Sequence, residues 1–404
     1  MPRRAPLRRP DLRGAARLVT DATTGLTDLV EALHARIGHA PGFGTPPADG
    51  RTGGVSGVVY RSIRGATRLV GGSLDALLGL LAPALPPDDT ATSAEREAIV
   101  AALNGVLGDY LAATANPLAT PMAFRCGGRP LPPEREALAA AVPQAGPHLL
   151  VLIHGLCMND LQWQRDGHDH GAELARTRGW TPVYLHYNSG LHVSINGRLL
   201  ARGLEQLVGQ WPRPLERLAL LGHSMGGLVA RSAVHQASAA GLAWPARLDH
   251  LVCLGTPHHG APLERAGHGI DQLLGAAPYA APFARLGKLR SAGITDLRHG
   301  LLLDEDWVGR DRFARGTDRR QPVPLPAGVR CGAIAASLGR QDGDLKARLL
   351  GDGLVPLDSA LGRHADPART LAFAADRQWV CHGTGHMGLL SSAEVAARLR
   401  RWLG

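Results

Sequence analysis

The sequence predicts an α/β chain: a doubly wound, mostly parallel sheet over residues 146–404, a helical N-terminal extension over residues 1–145, and a cap-like insertion at 262–326. Three observations lead there. Short continuous apolar runs alternate with stretches of helical periodicity from residue 148 onward, the pattern of strands joined by crossover helices. The run Arg217 to Leu221 passes through Gly222-His223-Ser224-Met225-Gly226 directly into a new helical pattern. Upstream of Pro130 the apolar residues instead recur at helical spacing.

The extension opens with a basic tail carrying Arg3, Arg4, Arg8, Arg9 and Arg13. Helices are expected over 14–40 and 55–83, with a Gly/Pro loop from Pro41 to Gly54 between them. A third is expected from about Ser93 to Ala112, where Thr92 and Glu95 have capping-box spacing. This extension reads as a packing buttress or a dimer surface. The sharper alternative is peripheral membrane contact, with Arg61, Arg64 and Arg68 at head-group level.

A net charge of +9 over 404 residues raises the question of nucleic acid. The basic residues are nearly all arginine, with Lys288 and Lys346 the lysines, in a chain rich in Ala, Gly and Pro. A GC-rich coding bias writes that composition, so no nucleic-acid partner is expected. Cys126, Cys157, Cys253, Cys331 and Cys381 show neither disulfide nor metal spacing. Together with the lack of a signal-like segment, this makes a reducing, cytoplasmic location the expectation. The apolar stretch from Leu69 to Pro86 is interrupted by Gly71, Gly72 and Asp75 and is not read as a membrane span.

From residue 148 the elements follow in order. His148 to Ile153 is a continuous apolar strand ending in His154-Gly155, the kind of run buried on both faces. Strands are expected again at Thr181 to Tyr187, Arg217 to Leu221, His250 to Leu254, Val329 to Ala336 and Leu371 to Ala374. Helices are expected at Ser194 to Trp211, Met225 to Ala240 and Ala393 to Leu403. In such a sheet, reactive groups gather beyond the carboxyl ends of the strands.

Gly222-His223-Ser224-Met225-Gly226 is a Gly-x-Ser-x-Gly elbow: its tight backbone lifts Ser224 off the sheet edge, and the flanking glycines remove side chains that would collide there. A serine hydroxyl needs a base held by an acid. Asp352, between Gly351 and Gly353, is the favoured acid, with Asp358 the alternative; His386 is the favoured base, with His382 its rival. The oxyanion donors are expected to be the backbone N–H groups of Met225 and Leu156, Cys157 being next in line for the second. Cys157 has no elbow of its own and is not read as a thiol nucleophile.

His154-Gly155, Gly222-His223-Ser224-Met225-Gly226-Gly227, Gly255-Thr256-Pro257-His258-His259-Gly260, Gly351-Asp352-Gly353-Leu354-Val355-Pro356 and Gly385-His386 occur in that order. On these motifs residues 148–404 resemble the α/β-hydrolase superfamily, and within it the lipase and esterase branch, including triacylglycerol lipases and deacylases of glycosylphosphatidylinositol lipids. The resemblance implies Ser224, Asp352 and His386 as a catalytic triad, an α/β-hydrolase sheet and a carboxylic ester or lipid substrate, with no cofactor and no metal. It also implies that the insertion covers the serine; Ile270, Leu273, Leu274, Tyr279, Phe283, Leu286 and Leu289 would form its apolar face. It does not reach residues 1–145.

His258, His259 and Asn188 are the expected substrate contacts. Asp166, His168, Asp169, His170 and Glu173 could be drawn as a metal site, but helix capping explains them as well. Acyl transfer, or cleavage of an amide or thioester, would use the same triad. A catalytically silent scaffold binding a membrane or a partner is the rival from another class.

Overall fold

A computed structural model describes residues 11–21, 24, 61–62, 64–65, 94–261, 290–312, 318–339 and 351–404. The chain divides into two compact units, Met1–Ser93 with Ala113–Leu118, and Ala94–Ala112 with Ala119–Gly404. The described part of the first contains a helix over residues 11–21. There Asn116 ties the chain back by donating from Nδ2 to the Gly14 carbonyl. Arg61 is exposed but Arg64 is buried, which takes Arg64 out of the head-group face expected for it. The remainder of the helices expected at 14–40 and 55–83, and the Thr92 cap, lie outside the described residues.

The second unit begins before the expected boundary at 146. Helix α1 (Ala94–Ala113) belongs to it as far as Ala112, as does a hairpin of β1 (Ala123–Cys126) and β2 (Arg129–Pro130). The hairpin turns through Gly127 and Gly128, both at positive φ (56° and 75°), the requirement of a two-residue primed turn. It is followed by α2 (Arg135–Ala141), β3 (His148–Ile153), α3 (His170–Arg178), β4 (Thr181–His186), α4 (Val193–Gly209), β5 (Arg217–His223), α5 (Met225–Ala239), β6 (Leu248–Leu254), β7 (Arg330–Ser337), β8 (Gln378–His382) and α6 (Ala393–Trp402).

The eight strands form one sheet in the order β2-β1-β4-β3-β5-β6-β7-β8, parallel except for β1, which runs antiparallel to β2 and β4. The alternation of the strand side chains sorts two cores. Leu149, Val151 and Ile153 of β3 face a core with α4 and α5, whereas Leu150 and Leu152 face one with Leu174 of α3 and Leu399 of α6. Burial on both faces is what the unbroken apolar run of β3 anticipates.

The strand expected at Leu371 to Ala374 is instead irregular, with Phe373 N–H turning back to the Leu371 carbonyl. The last strand is Gln378–His382, whose Trp379 and Val380 are strong strand formers. The apolar face expected within 270–289 lies outside the described residues. Beyond it the chain makes a helical turn, Ala292–Asp296, capped by Ser291 and hydrogen-bonded to α1 through Ser291 Oγ and the Gly105 carbonyl (2.6 Å).

The chain leaves β3 in one direction to reach β4 and returns on the other side of β3 as β5. That reversal makes the carboxyl ends of β3 and β5 the switch point of the sheet. Their last paired residues are Ile153 and Gly222.

Candidate active site

Ser224 follows β5 immediately and sits at φ 54°, ψ −124°, a region costly for any side-chain-bearing residue. Its backbone is pinned from both sides: Ser224 N–H donates to the Leu254 carbonyl (2.8 Å), and its own carbonyl accepts from Gly227 N–H (3.1 Å). The elbow glycines are required by space. A Cβ on Gly222 would fall 2.5 Å from the Gly227 nitrogen, and one on Gly226 would lie 2.6 Å from the His154 carbonyl oxygen.

The structure brings Asp352 and His386 together. His386 Nδ1 lies 2.7 Å from Asp352 Oδ2, and each residue is about 5% exposed or less. The other carboxylate oxygen, Oδ1, accepts the N–H groups of Leu354 (2.9 Å) and Val355 (2.8 Å). Asp352 is thereby fixed with one oxygen left for the imidazole. The backbones are tied as well, His386 N–H to the Asp352 carbonyl at 3.1 Å. Asp358, the alternative acid, is partly exposed and faces Arg363.

His386 reaches the serine end of the sheet through two neighbours. The His223 ring, directly before Ser224, lies 4.8 Å from the His386 ring, and its Nε2 donates to the His386 carbonyl (3.3 Å). Burial holds His223 well below the ordinary histidine range, so it is a neutral donor. Gly255, next to the Leu254 carbonyl that receives Ser224 N–H, would place a Cβ 3.1 Å from His386 Nδ1 and Cε1. The imidazole therefore lies over the backbone of the strand that pins the serine.

Met225 opens α5, so its N–H is at the unpaired amino end of that helix. In the loop after β3, Cys157 donates its N–H to Ser189 Oγ (3.0 Å), which removes it as an oxyanion donor and leaves Leu156. The Cys157 thiol is pushed up to about 12 by burial, so it is not a thiolate at neutral pH.

The three expected substrate contacts each have partners within the protein. Asn188 is a tie between loop and helix: its Nδ2 donates to the Gly108 carbonyl of α1 (2.8 Å) and its Oδ1 accepts from Gly190 N–H (3.0 Å). His258 and His259 line a cavity of about 690 Å³ with Arg231 and Arg320, and none of Ser224, Asp352 and His386 lines it. No motif singles out Arg231; its signal in the sequence is a lone arginine among the apolar residues of α5.

Asp169 caps α3, accepting from Ala172 N–H (2.8 Å) and from the Tyr184 hydroxyl (2.7 Å). His170 Nε2 donates to the Leu389 carbonyl (2.8 Å) and its Nδ1 receives His168. Among the described residues no group of three or more His, Cys, Asp or Glu is placed to hold a metal ion. A largely buried polar set also has no signature in the sequence: Arg125 Nη1 bonds Glu97 of α1 (3.0 Å) and Asp160 (3.1 Å), and His186 Nδ1 at the end of β4 lies 3.0 Å from Asp160 Oδ1. Among the described residues no helix is long and apolar enough to cross a membrane.

Residues 188–319 match the sequence model of the PGAP1-like alpha/beta domain family. No curated protein matches the chain. Among solved structures, a Bacillus licheniformis lipase in mature form is 20% identical with a TM-score of 0.41, over 64% of this chain and 92% of that one. A Pyrococcus furiosus esterase is 14% identical (TM-score 0.36; 65% and 84% covered), and Aspergillus fumigatus lipase B is 12% identical (TM-score 0.38; 66% and 52%). With its mostly parallel eight-stranded sheet, its helices on both faces and its serine elbow after β5, the chain has an α/β-hydrolase fold and is similar over residues 188–319 to the PGAP1-like alpha/beta domain.

Proposed function

We propose that the protein is a serine hydrolase that cleaves carboxylic esters of hydrophobic acyl chains through an acyl-enzyme. The observation that carries this reading is the buried 2.7 Å Asp352–His386 bond beside a strained elbow serine. A carboxylate accepting at Nδ1 fixes the tautomer with its lone pair on Nε2. That lone pair takes the Ser224 proton as Oγ attacks the ester carbonyl. The tetrahedral oxyanion is met by the N–H groups of Met225 and Leu156, His386 returns the proton to the leaving alcohol, and water repeats the sequence to release the acid.

Fluorophosphonate labelling of the whole protein beside Ser224→Ala, followed by p-nitrophenyl esters from acetate to palmitate, tests this. Label and turnover are expected to vanish in the variant, with longer chains preferred by the parent protein. Labelling that survives the substitution removes Ser224 from its role, and a preference for acetate removes the hydrophobic acyl pocket. The same triad serves transfer to another alcohol, which product analysis with a competing alcohol separates from hydrolysis.

A further inference from the structure

The cavity that carries His258 and His259 has a wall unlike that of an acyl pocket. Five guanidinium groups, those of Arg231, Arg320, Arg330, Arg369 and Arg377, line it against the single carboxylate of Asp376. Behind the wall, buried Asp306 accepts Gln321 N–H beside Arg320, and two further carboxylates are each divided between two arginines. Asp318 is shared by Arg320 (3.1 Å) and Arg369 (3.0 Å), and Asp249 by Arg330 and Arg217. Arg369 reaches one further acid, the half-exposed Asp366, at 3.6 Å.

Arg231 is the extreme case. It is 4% exposed, and among the described residues no carboxylate pairs with it. Its Nη2 donates to the Val323 carbonyl (2.6 Å) and its Nη1 to His258 Nδ1 (3.2 Å), both neutral acceptors. A buried cation without a counter-charge is costly. The histidines add donors to the same wall. Arginine can only donate, so His258 Nδ1 accepts and the ring proton sits on Nε2; His259 Nδ1 likewise accepts from Arg320 (2.6 Å). His258 Nε2 is fully buried and, among the described residues, has no hydrogen-bond partner. The more accessible cations of the wall are thus Arg330, Arg369 and Arg377, alongside apolar Val323, Leu325 and Leu371, with Arg231, Arg320 and the His258 N–H buried behind them.

We propose that this cavity is a binding site for a phosphate monoester, separate from the Ser224 site, in which the phosphate meets the arginines and an apolar body lies against Val323, Leu325 and Leu371. A phosphate supplies the acceptors that planar guanidinium forks match, and a volume of about 690 Å³ suits a ligand with an organic body. Arg231 lies two turns into α5, the helix that begins beside Ser224, so the ligand would sit against the same rigid element as the nucleophile.

The test is calorimetric titration of the full chain with phenyl phosphate and inorganic phosphate, with phenol as the neutral control. Co-pelleting on phosphatidylcholine vesicles with and without phosphatidic acid runs in parallel. Arg231→Gln removes the unpaired cation, and Ala372→Glu puts a carboxylate on the cavity wall from an exposed position that leaves the core untouched. Phenyl phosphate is expected to bind and phenol not, with affinity falling about tenfold or more in each variant, as for loss of a charge-assisted contact, and falling with added salt. Pelleting specific to phosphatidic acid and lost in Ala372→Glu assigns the phosphate to a lipid headgroup; binding of phenyl phosphate without such pelleting assigns it to a soluble ester. Absence of both, or binding unchanged in folded Ala372→Glu, overturns the site. Should Arg231→Gln fail to fold, Ala372→Glu decides alone.

Discussion

Replacing Asp352 by Asn tests the proposed chemistry at a single atom. Oδ1 receives two backbone N–H groups at 2.9 and 2.8 Å, whereas Oδ2 faces the imidazole at 2.7 Å. In the Asp352→Asn variant the amide oxygen must take the Oδ1 place, because two donors converge there, and the NH2 group is left facing His386 Nδ1. Two donors cannot bond each other, so the ring turns its lone pair to Nδ1 and carries its proton on Nε2, the atom that must be empty to deprotonate Ser224. The expected loss in kcat is about 10³ to 10⁴-fold, or about 4 to 5.5 kcal/mol, with KM changed by less than about threefold. The side chain is isosteric, so the cost in stability is confined to one weakened hydrogen bond, about 1–3 kcal/mol. Hydrolysis of p-nitrophenyl butyrate beside thermal melting of both proteins gives the two quantities. A folded Asp352→Asn protein that keeps more than about a tenth of the parent kcat would refute the tautomer argument.

Gly226→Ala should be destabilised by about 1–3 kcal/mol or more, because its Cβ meets the backbone of Ile153 and His154, and a denaturant midpoint matching the parent would remove the steric account of the elbow. Cys157→Ala should keep kcat within about threefold of the parent, as befits a thiol that stays protonated; loss of activity in a folded protein would reopen the thiol as nucleophile. Acid should destabilise the fold. Burial lowers His154 to about 3 and His170 to about 4, so at pH 5 the unfolded chain binds protons there that the native state does not, and stability falls as pH drops below the unfolded value of about 6.5. Between pH 6.5 and 5 each histidine costs up to about 2 kcal/mol, which melting curves at the two values will register; an unchanged melting temperature would mean that these rings are not buried neutral.

Strands and motifs are legible in the sequence wherever a local pattern carries its own physics. The unbroken apolar run at β3 announces a strand buried on both faces, and Gly222 to Gly226 announces a turn that only small residues allow. The pairing of Asp352 with His386 is legible because each sits in a glycine-flanked loop in the right chain order. Other features are hidden for physical reasons. The β1–β2 hairpin has strands of four and two residues, too short for alternation to register, although Gly127-Gly128 marks its turn. Leu371 and Phe373 are apolar because they line and pack beneath the arginine-rich cavity, and that burial imitates a strand. Asn188 reads as an entrance residue because nothing local shows that α1, about 80 residues earlier, consumes its amide. Arg231 and His258 meet only through the fold, so neither carries a signal in its own neighbourhood.

The geometry also explains how Ser224, the proposed nucleophile, is held in a strained conformation. A serine at φ 54° and ψ −124° costs about 1–3 kcal/mol, and a free loop would relax out of it. Here relaxation would break the Ser224–Leu254 bond at the end of β6, and the elbow packs so close to the end of β3 that Gly226 has no room even for a Cβ beside Ile153 and His154. Leu149 to Ile153 of β3 and His250 to Leu254 of β6 are fully buried beside β5, so the surrounding sheet is more costly to deform than the single residue is to strain. The switch point between β3 and β5 thus gives Ser224 two neighbouring strands that hold its side chain in a conformation it would not keep alone. If that is the source of the geometry, substitutions that loosen β3 should lower kcat before they unfold the chain. Ile153→Ala, which empties space beneath the elbow without touching any proposed catalytic atom, should show a drop in kcat at temperatures where its circular dichroism is still native, and parallel loss of both would place the restraint elsewhere.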